Sequence, residues 1–175
     1  MARACALTAL LIAVAPASGQ AVSVASFEGR YVFVGGDAER QQLDRAIDGV
    51  VSRLALLLRE VARGEIRRNI QPEPRIAIDV TDDAHVRLTL GAWGPLDVRL
   101  DGLEQRVRGP DGSATRLAVH YRGGRIETRQ ASSRGRRENW LSLSPDGRYL
   151  FLQSRVGAPQ LPEEIRYTLT YRREP

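Results

Sequence analysis

Apolar residues recur at intervals of three and four between positions 37 and 64, and at intervals of two from position 75 to position 172. The first spacing lines one face of an amphipathic helix. Its apolar members are Leu43, Ile47, Val50, Val51, Leu54, Leu57, Leu58 and Val61. Asp37 stands where an N-cap is expected, and Gly64 stands where a helix can end. We therefore predict one long helix over about residues 37–64.

The other residues predict short strands. One strand over 27–34 precedes the helix, and the alternation from 75 to 172 predicts the others. Turn signals such as Asp101-Gly102 and Pro145-Asp146-Gly147 separate them. Short connections make consecutive strands antiparallel neighbours. We predict an α+β, mostly β fold: an up-and-down meander of about 8–9 strands that forms a barrel or a strongly curved sheet, with the helix packed on or in it.

Residues 1–21 have the layout of a cleavable secretory signal peptide. A basic start, Met1-Ala2-Arg3, precedes an uncharged apolar run over 6–14 and small residues over 15–21. The run is shorter than the ~20 residues that span a bilayer, so we expect no transmembrane span in the mature chain. The alternative is a retained anchor or a buried helix. Residues 22–175 have the length of a single domain, which we expect in the periplasm or outside the cell.

The composition restricts the kinds of catalytic, metal and nucleic-acid site that the domain can have. The single cysteine, Cys5, lies in the predicted signal peptide, so the mature domain is expected to have no disulfide, thiolate nucleophile or cysteine zinc site. All 26 basic residues are arginine, but 21 acidic residues are interleaved with them. The densest basic cluster, Arg134, Arg136 and Arg137, is best interpreted as a solvated hairpin tip. A nucleic-acid partner is therefore not expected, because one would require a basic face with stacking aromatics.

No catalytic residue, metal site or cofactor is predicted. His85 and His120 are isolated and show no metal-ligand spacing. No serine lies on a recognisable nucleophile elbow. Asp79, Asp97 and Glu138 are placed in strands, on the face that is expected to meet water. The pattern favours a binding or scaffold module over an enzyme, which nevertheless stays among the alternatives.

The segment Phe27-Glu28-Gly29-Arg30-Tyr31 resembles the opening Phe-x-Gly-x-Trp strand of the calycins, the superfamily of lipocalins and fatty-acid-binding proteins. Tyr31 takes the aromatic position. The up-and-down strands and the closing segment from Tyr167 to Arg172, which carries an arginine, resemble the same family. The likeness implies a β-barrel with a cavity for a lipid-like molecule. One departure is that fatty-acid-binding proteins have two short helices after the first strand, where a single long helix is predicted here.

One pair of strands offers candidate ligand-binding residues. If the sheet is concave, Tyr121, Arg129 and Trp140 line a cavity. Arginine can hold an acidic head group through two hydrogen bonds, and tryptophan can pack against the apolar part of a ligand. The alternative is an exposed ladder of arginine and glutamate beside a core tryptophan.

Three further functions compete with an enzyme. The first is an exported, non-catalytic, lipocalin-like module that binds a small hydrophobic or amphipathic ligand. The second is a structural domain of the cell envelope whose helix fills the barrel and whose partner is an envelope protein. The third is an arginine-rich helix that lies on anionic lipid. The choice between the first two depends on whether the helical segment leaves room inside the barrel.

Overall fold

A computed structural model describes residues 22–91, 93–109 and 112–175. The predicted signal peptide lies outside this described part. A short 3₁₀ turn (Val24–Phe27) and two helices, α1 (Gly36–Val51) and α2 (Leu56–Asn69), accompany ten strands. The strands are β1 (Gly29–Phe33), β2 (Arg75–Asp82), β3 (His85–Leu90), β4 (Leu96–Arg99), β5 (Gln105–Arg108), β6 (Ala114–Arg122), β7 (Arg125–Ser132), β8 (Gly135–Leu143), β9 (Tyr149–Gly157) and β10 (Ile165–Arg173).

The ten strands form one antiparallel sheet in the order β4-β3-β2-β1-β10-β9-β8-β7-β6-β5. Pairing of the first strand with the last wraps the sheet into a barrel. The gap between the edge strands β4 and β5 is partly bridged, because Gly102 N donates to Val119 O (2.8 Å) and Tyr121 N donates to Leu100 O (3.2 Å). The nearly closed meander confirms the predicted fold class, with at least one strand more than expected.

The helical segment was predicted in the right place, but it is two helices and not one. Bonds of the i to i−3 type from Arg53 N to Val50 O and from Leu54 N to Val51 O tighten the end of α1. Ala55 then takes an extended backbone conformation, and the chain turns into α2. A straight helix at 1.5 Å per residue would project far beyond a small barrel, whereas two helices can both cover it. The predicted departure from fatty-acid-binding proteins therefore disappears.

Helix α1 covers part of the barrel and packs tightly against its core. Its apolar stripe, Leu43, Ile47, Val50 and Val51, is buried, and the helix packs on β10. Its start is preceded by Gly35, so Asp37 lies in the first turn and is not the N-cap.

A carboxylate fixes the start of α1 to the sheet. Strand β1 ends at Phe33, so the Thr170 N–H has no strand partner on that side. The Glu39 carboxylate takes that place and accepts from Thr170 N at 2.7 Å and from Thr170 Oγ1 at 2.6 Å.

The end of the barrel opposite α2, called here the floor, is also tightly packed. Four inward-facing residues follow one another across β7 to β10: Ile126, Leu141, Leu152 and Leu169. All four are buried. The 3₁₀ turn adds Phe27, whose ring meets Tyr121 edge to face at 6.2 Å between centroids. The lower barrel is thus filled by side chains, as expected for small barrels.

An arginine at the floor ties the last strand to the first strand and to the 3₁₀ turn before it. Arg173 lies opposite Tyr31 in the β1–β10 pair, with its guanidinium carbon 5.3 Å from the centre of the Tyr31 ring. Its Nη2 donates to Tyr31 Oη at 2.7 Å and also to Ser26 O in the 3₁₀ turn. The closing segment singled out in the sequence ends at Arg172, one residue before the arginine that makes these contacts. None of the described helices is long and apolar enough to cross a membrane.

Candidate binding site

A cavity of ≈ 950 Å³ lies at the other end of the barrel, called here the mouth, between α2 and the tips of the neighbouring hairpins. This volume is within the range of about 300–1,000 Å³ that is usual for small-molecule sites. No residue of α2 is buried. Leu58 and Val61, which line the cavity, remain 58 and 73 % exposed. The cavity is therefore open to solvent.

The cavity has one apolar wall and one polar wall. Helix α2, the β9–β10 connection and the start of β10 supply the more apolar wall, which includes Leu58, Val61, Ala62, Ile66, Leu161 and Ile165. Helix α2 also contributes Glu65, Arg68 and Asn69 to the lining. The tip of the β7–β8 hairpin supplies the polar wall, from Gln130 to Arg137. This division suits a molecule with an apolar and a polar part.

Arg137 is the basic residue of the polar wall that faces inward. Its strand partners are Gln130 and Val156, which line the cavity with it. Its Nη2 donates at 2.6 Å to the carbonyl oxygen of Asn69, the last residue of α2. A cation is favourable at a helix C-terminus, so this bond both caps α2 and holds it over the mouth. The adjacent Arg136 instead binds Glu164 at 2.7 Å.

Glu73 is an acidic group in the lining. It is half-buried, and this burial raises the pKa of the Glu73 carboxyl, while the positive charge of Arg137 partly offsets the effect. The carboxyl group lies directly over Gly91, where a Cβ would fall 1.8 Å from the Glu73 Cδ atom. Gly91 also has φ +59°, so a glycine is needed there for space and for backbone conformation.

A row of buried polar side chains separates the cavity from the floor. Asn139 Nδ2 donates to Thr128 Oγ1 at 2.9 Å, and Ser154 Oγ donates to Asn139 Oδ1 at 2.7 Å. All three side chains are buried, and Tyr167 lies beside Ser154 in register. Since these groups satisfy one another, the row is stable without a ligand.

The three residues predicted from the sequence lie away from the ≈ 950 Å³ cavity. Arg129 and Trp140 are diagonal neighbours on the outer face of β7 and β8, where they line a small indentation of ≈ 210 Å³. Arg155 stacks over the Trp140 ring at 5.4 Å. Tyr121 points inward instead, and its hydroxyl donates to the Val22 carbonyl. The structure thus brings Arg129 and Trp140 together but not Tyr121. Whether any of them binds a ligand stays a prediction.

Sequence reasoning missed Arg137 and Glu73. The available signal was the alternation along β8, in which Arg137 shares a face with Asn139 and the core residue Leu141. For Glu73, flanked by Pro72 and Pro74, the sequence carried no comparable signal. Over the described ranges, no three His, Asp or Glu side chains come together in a way that could hold a metal ion.

Comparison with solved structures identifies the fold. The chain is similar to the REP1-NXSQ fatty acid transporter, with a TM-score of 0.53 and 12% identity over 87% of this chain and 98% of that one. It is similar to Caenorhabditis elegans lipid binding protein 8, with a TM-score of 0.53 and 15% identity over 87% and 99%. Zebrafish ileal bile acid-binding protein in complex with cholic acid gives 0.52 and 12% over 85% and 99%.

These likenesses and the strand order define the fold as a calycin-like β-barrel, as the sequence resemblance implied. At 12–15% identity they concern the fold alone. No family model matches the sequence, and no curated protein matches it in sequence.

Proposed function

We propose that this protein binds a small hydrophobic or amphipathic ligand, without catalysis, in the cavity under α2. The observation that carries the proposal is the ≈ 950 Å³ space, one wall of which is the apolar face of α2, where only Ala62 and Ile66 pack against the core while Leu58 and Val61 stay exposed. Covering exposed apolar surface is favourable by about 25 cal/mol per Å², so a ligand chain on this wall stabilises the complex. The names of the three solved structures, which mention a fatty acid, a lipid and a bile acid, support the same proposal.

The alternative is a structural domain in which the helical segment fills the barrel. Helix α1 does fill its part, but on α2 only Ala62 and Ile66 reach the core, both half-buried, and Leu58 and Val61 stay exposed. Ligand binding therefore accounts for α2 better than a solid interior does.

A space-filling substitution tests the proposal. Ala62 is half-buried and lines the cavity, so Ala62→Trp would occupy part of it. We expect the affinity for tetradecanoate, measured by isothermal titration calorimetry, to fall about tenfold or more, since a misfit in an apolar pocket costs this much. Ala38→Trp on the exposed side of α1 is the matched control and should bind as the unaltered protein does. Equal affinity for Ala62→Trp and Ala38→Trp, or no binding of tetradecanoate to any of the proteins, would contradict the proposal.

We also propose that the mature protein acts in the periplasm or outside the cell. The support is the sequence of residues 1–21, with its basic start and its short apolar run. Expression of the full chain in a bacterium should give a periplasmic product whose mass shows an N-terminus near residue 22. The Leu10→Arg variant, which interrupts the apolar run, should stay in the cytoplasm at full length. A full-length cytoplasmic product from the unaltered chain would refute this proposal.

A further inference from the structure

One carboxyl group in the cavity lining has no partner in the protein. The Glu73 side chain makes no hydrogen bond and no ion pair with any residue that the structure describes. The other charged side chains of the lining each interact with a neighbour: Arg68 binds Glu65 at 2.6 Å, Arg136 binds Glu164 at 2.7 Å, Arg137 binds the Asn69 carbonyl at 2.6 Å, and the charge of Arg134 acts on Glu65. Among the described lining residues, Glu73 is therefore the charged group that the protein itself leaves unsatisfied.

The backbone, and not a partner, fixes the position of this carboxyl group. Glu73 stands between Pro72 and Pro74, and a proline ring restricts the backbone to a narrow range of φ. The Pro74 carbonyl accepts from Phe33 N at 3.1 Å, which attaches the segment to the end of β1. Because the carboxyl group lies over Gly91, where no side chain stands in its way, it is held in the lining of the cavity.

A half-buried carboxylate without hydrogen-bond donors is unfavourable, because burial removes water and no protein group replaces it. Burial raises the pKa of the Glu73 carboxyl for this reason, and the charge of Arg137 offsets the effect only in part. An ionised carboxylate only accepts hydrogen bonds, so the group that satisfies it has to be a donor. A second anion at this place would instead be repelled.

The surroundings favour a neutral donor over a cation. The positive charge of Arg137 already acts on Glu73, so an ammonium group at Glu73 would be repelled by the guanidinium. A hydroxyl group donates one hydrogen bond and carries no charge. Glu73 comes four residues after Asn69, the last residue of α2, so the apolar part of a molecule whose hydroxyl meets Glu73 can extend back along the α2 wall.

We propose that Glu73 selects a ligand with a hydroxyl group on an apolar chain: the hydroxyl donates to the Glu73 carboxylate, and the chain lies along α2. This inference rests on the proposed function and specifies the ligand class and one residue that determines it.

Three probes with the same decyl chain test the head group: 1-decanol, decyl methyl ether and decylamine, each titrated by isothermal titration calorimetry below its aggregation limit. The unaltered protein should bind the alcohol about tenfold more tightly than the ether, because a hydrogen bond to a charged group is a strong one. The ether has more apolar surface, so the hydrophobic effect alone would give the opposite order. The amine should bind no more tightly than the alcohol.

The variant Glu73→Ala should reduce the affinity for 1-decanol about tenfold and leave the affinity for the ether unchanged. Glu73→Gln, whose amide oxygen still accepts, should keep part of the preference. Glu104→Ala is the matched control, because Glu104 is an exposed carboxylate outside the lining, paired with Arg116. It should leave all three affinities as they are. Circular dichroism verifies that each variant is folded.

Three results would overturn the inference and leave the proposed function intact. The first is an ether that binds the unaltered protein as tightly as the alcohol, or an alcohol that does not bind although tetradecanoate does. The second is an amine that binds more tightly than the alcohol, which makes the preferred head group a cation. The third is an equal loss for alcohol and ether in Glu73→Ala, which means that Glu73 only shapes the lining. If neither these probes nor tetradecanoate bind the unaltered protein, the proposed function itself fails.

Discussion

Helix α1 buries four apolar side chains in the core, whereas α2, which continues the same spacing of apolar residues, buries none. Ile47 on α1 is 1 % exposed, but Leu57 on α2 is 90 % exposed. An apolar stripe indicates that a helix face needs a packing partner, but it does not indicate whether that partner is the sheet or a ligand. For α1 the partner is β10. The apolar face of α2 instead forms a wall of the cavity, and this cavity is where we place the ligand.

The attachments of the two helices differ in the same way. Helix α1 is fixed to the sheet by its core contacts and by the bonds of Glu39 to Thr170. Helix α2 is held by ion pairs to α1, namely Arg63 to Asp48 at 2.8 Å and Arg67 to Asp44 at 2.9 Å, and by Arg137 at its end. Its apolar contacts with the core are limited to the half-buried Ala62 and Ile66. Few buried apolar contacts mean low local stability, so α2 should open more easily than α1.

Truncation of one apolar residue on each helix should give the largest difference. Ile47→Ala should lower the free energy of unfolding by about 2–5 kcal/mol, because it leaves a cavity in packed core. Leu57→Ala should change it by less than about 0.5 kcal/mol, since an exposed side chain loses little. Urea denaturation measures both values. Similar losses would mean that α2 is packed as firmly as α1 in solution, which would remove the contrast.

Removal of a carboxylate from each helix should give the next largest effect. Glu39→Ala leaves the Thr170 N–H and hydroxyl without their acceptor and should cost about 1.5–3 kcal/mol, as expected for hydrogen bonds to a charged group. The counterpart on α2 is Glu60→Ala, which removes an exposed ion pair with Arg63 and should cost less than about 1 kcal/mol. Equal costs in chemical denaturation would show that Glu39 does not anchor α1.

The barrel was predictable because alternation of period two is a strong signal, and short turns force antiparallel neighbours. The break between the helices was not, because Leu54, Leu57 and Leu58 continue the spacing of α1 and no proline interrupts it. Periodicity records which residues share a face, and it does not record where a helix must turn to stay on a barrel.

The binding site was harder to predict, for a reason visible in β8. Trp140 was predicted to bind a ligand because tryptophan can pack against an apolar group, but the register sets it outward beside Gln153 and Glu127. The inner face carries the polar Asn139, which a simple alternation rule assigns to solvent. Its partners Thr128 and Ser154 come from neighbouring strands, so the buried polar row follows only from the strand register.

Asp44 and Asp48 also show why a pattern within one helix can mislead. As like charges one helical turn apart they weaken an isolated helix, but each faces an arginine of α2. The double variant Asp44→Asn/Asp48→Asn should therefore speed hydrogen exchange across α2 and leave β10 unchanged, with a cost of about 0.2–1 kcal/mol for each pair. Asp83→Asn, in an exposed turn, is the control. Unchanged exchange in α2 would mean that these pairs do not hold it, and the effect of the variant should shrink at high salt.

The smallest expected effect concerns Glu73 in the cavity that α2 covers. Because burial raises the pKa of this carboxyl, the folded state favours its neutral form. The stability that the protonated Glu73 carboxyl provides is fully present below the unfolded-state pKa, near 4.5. It is lost as the pH rises through the raised folded-state pKa. Glu73→Gln, which stays neutral, should thus match the unaltered protein at pH 4 and be the more stable of the two at pH 7. Urea denaturation at both pH values measures this difference. A variant that is less stable than the unaltered protein at pH 7 would show that attraction to Arg137 outweighs burial. The carboxyl would then be better hydrated than its position under α2 indicates.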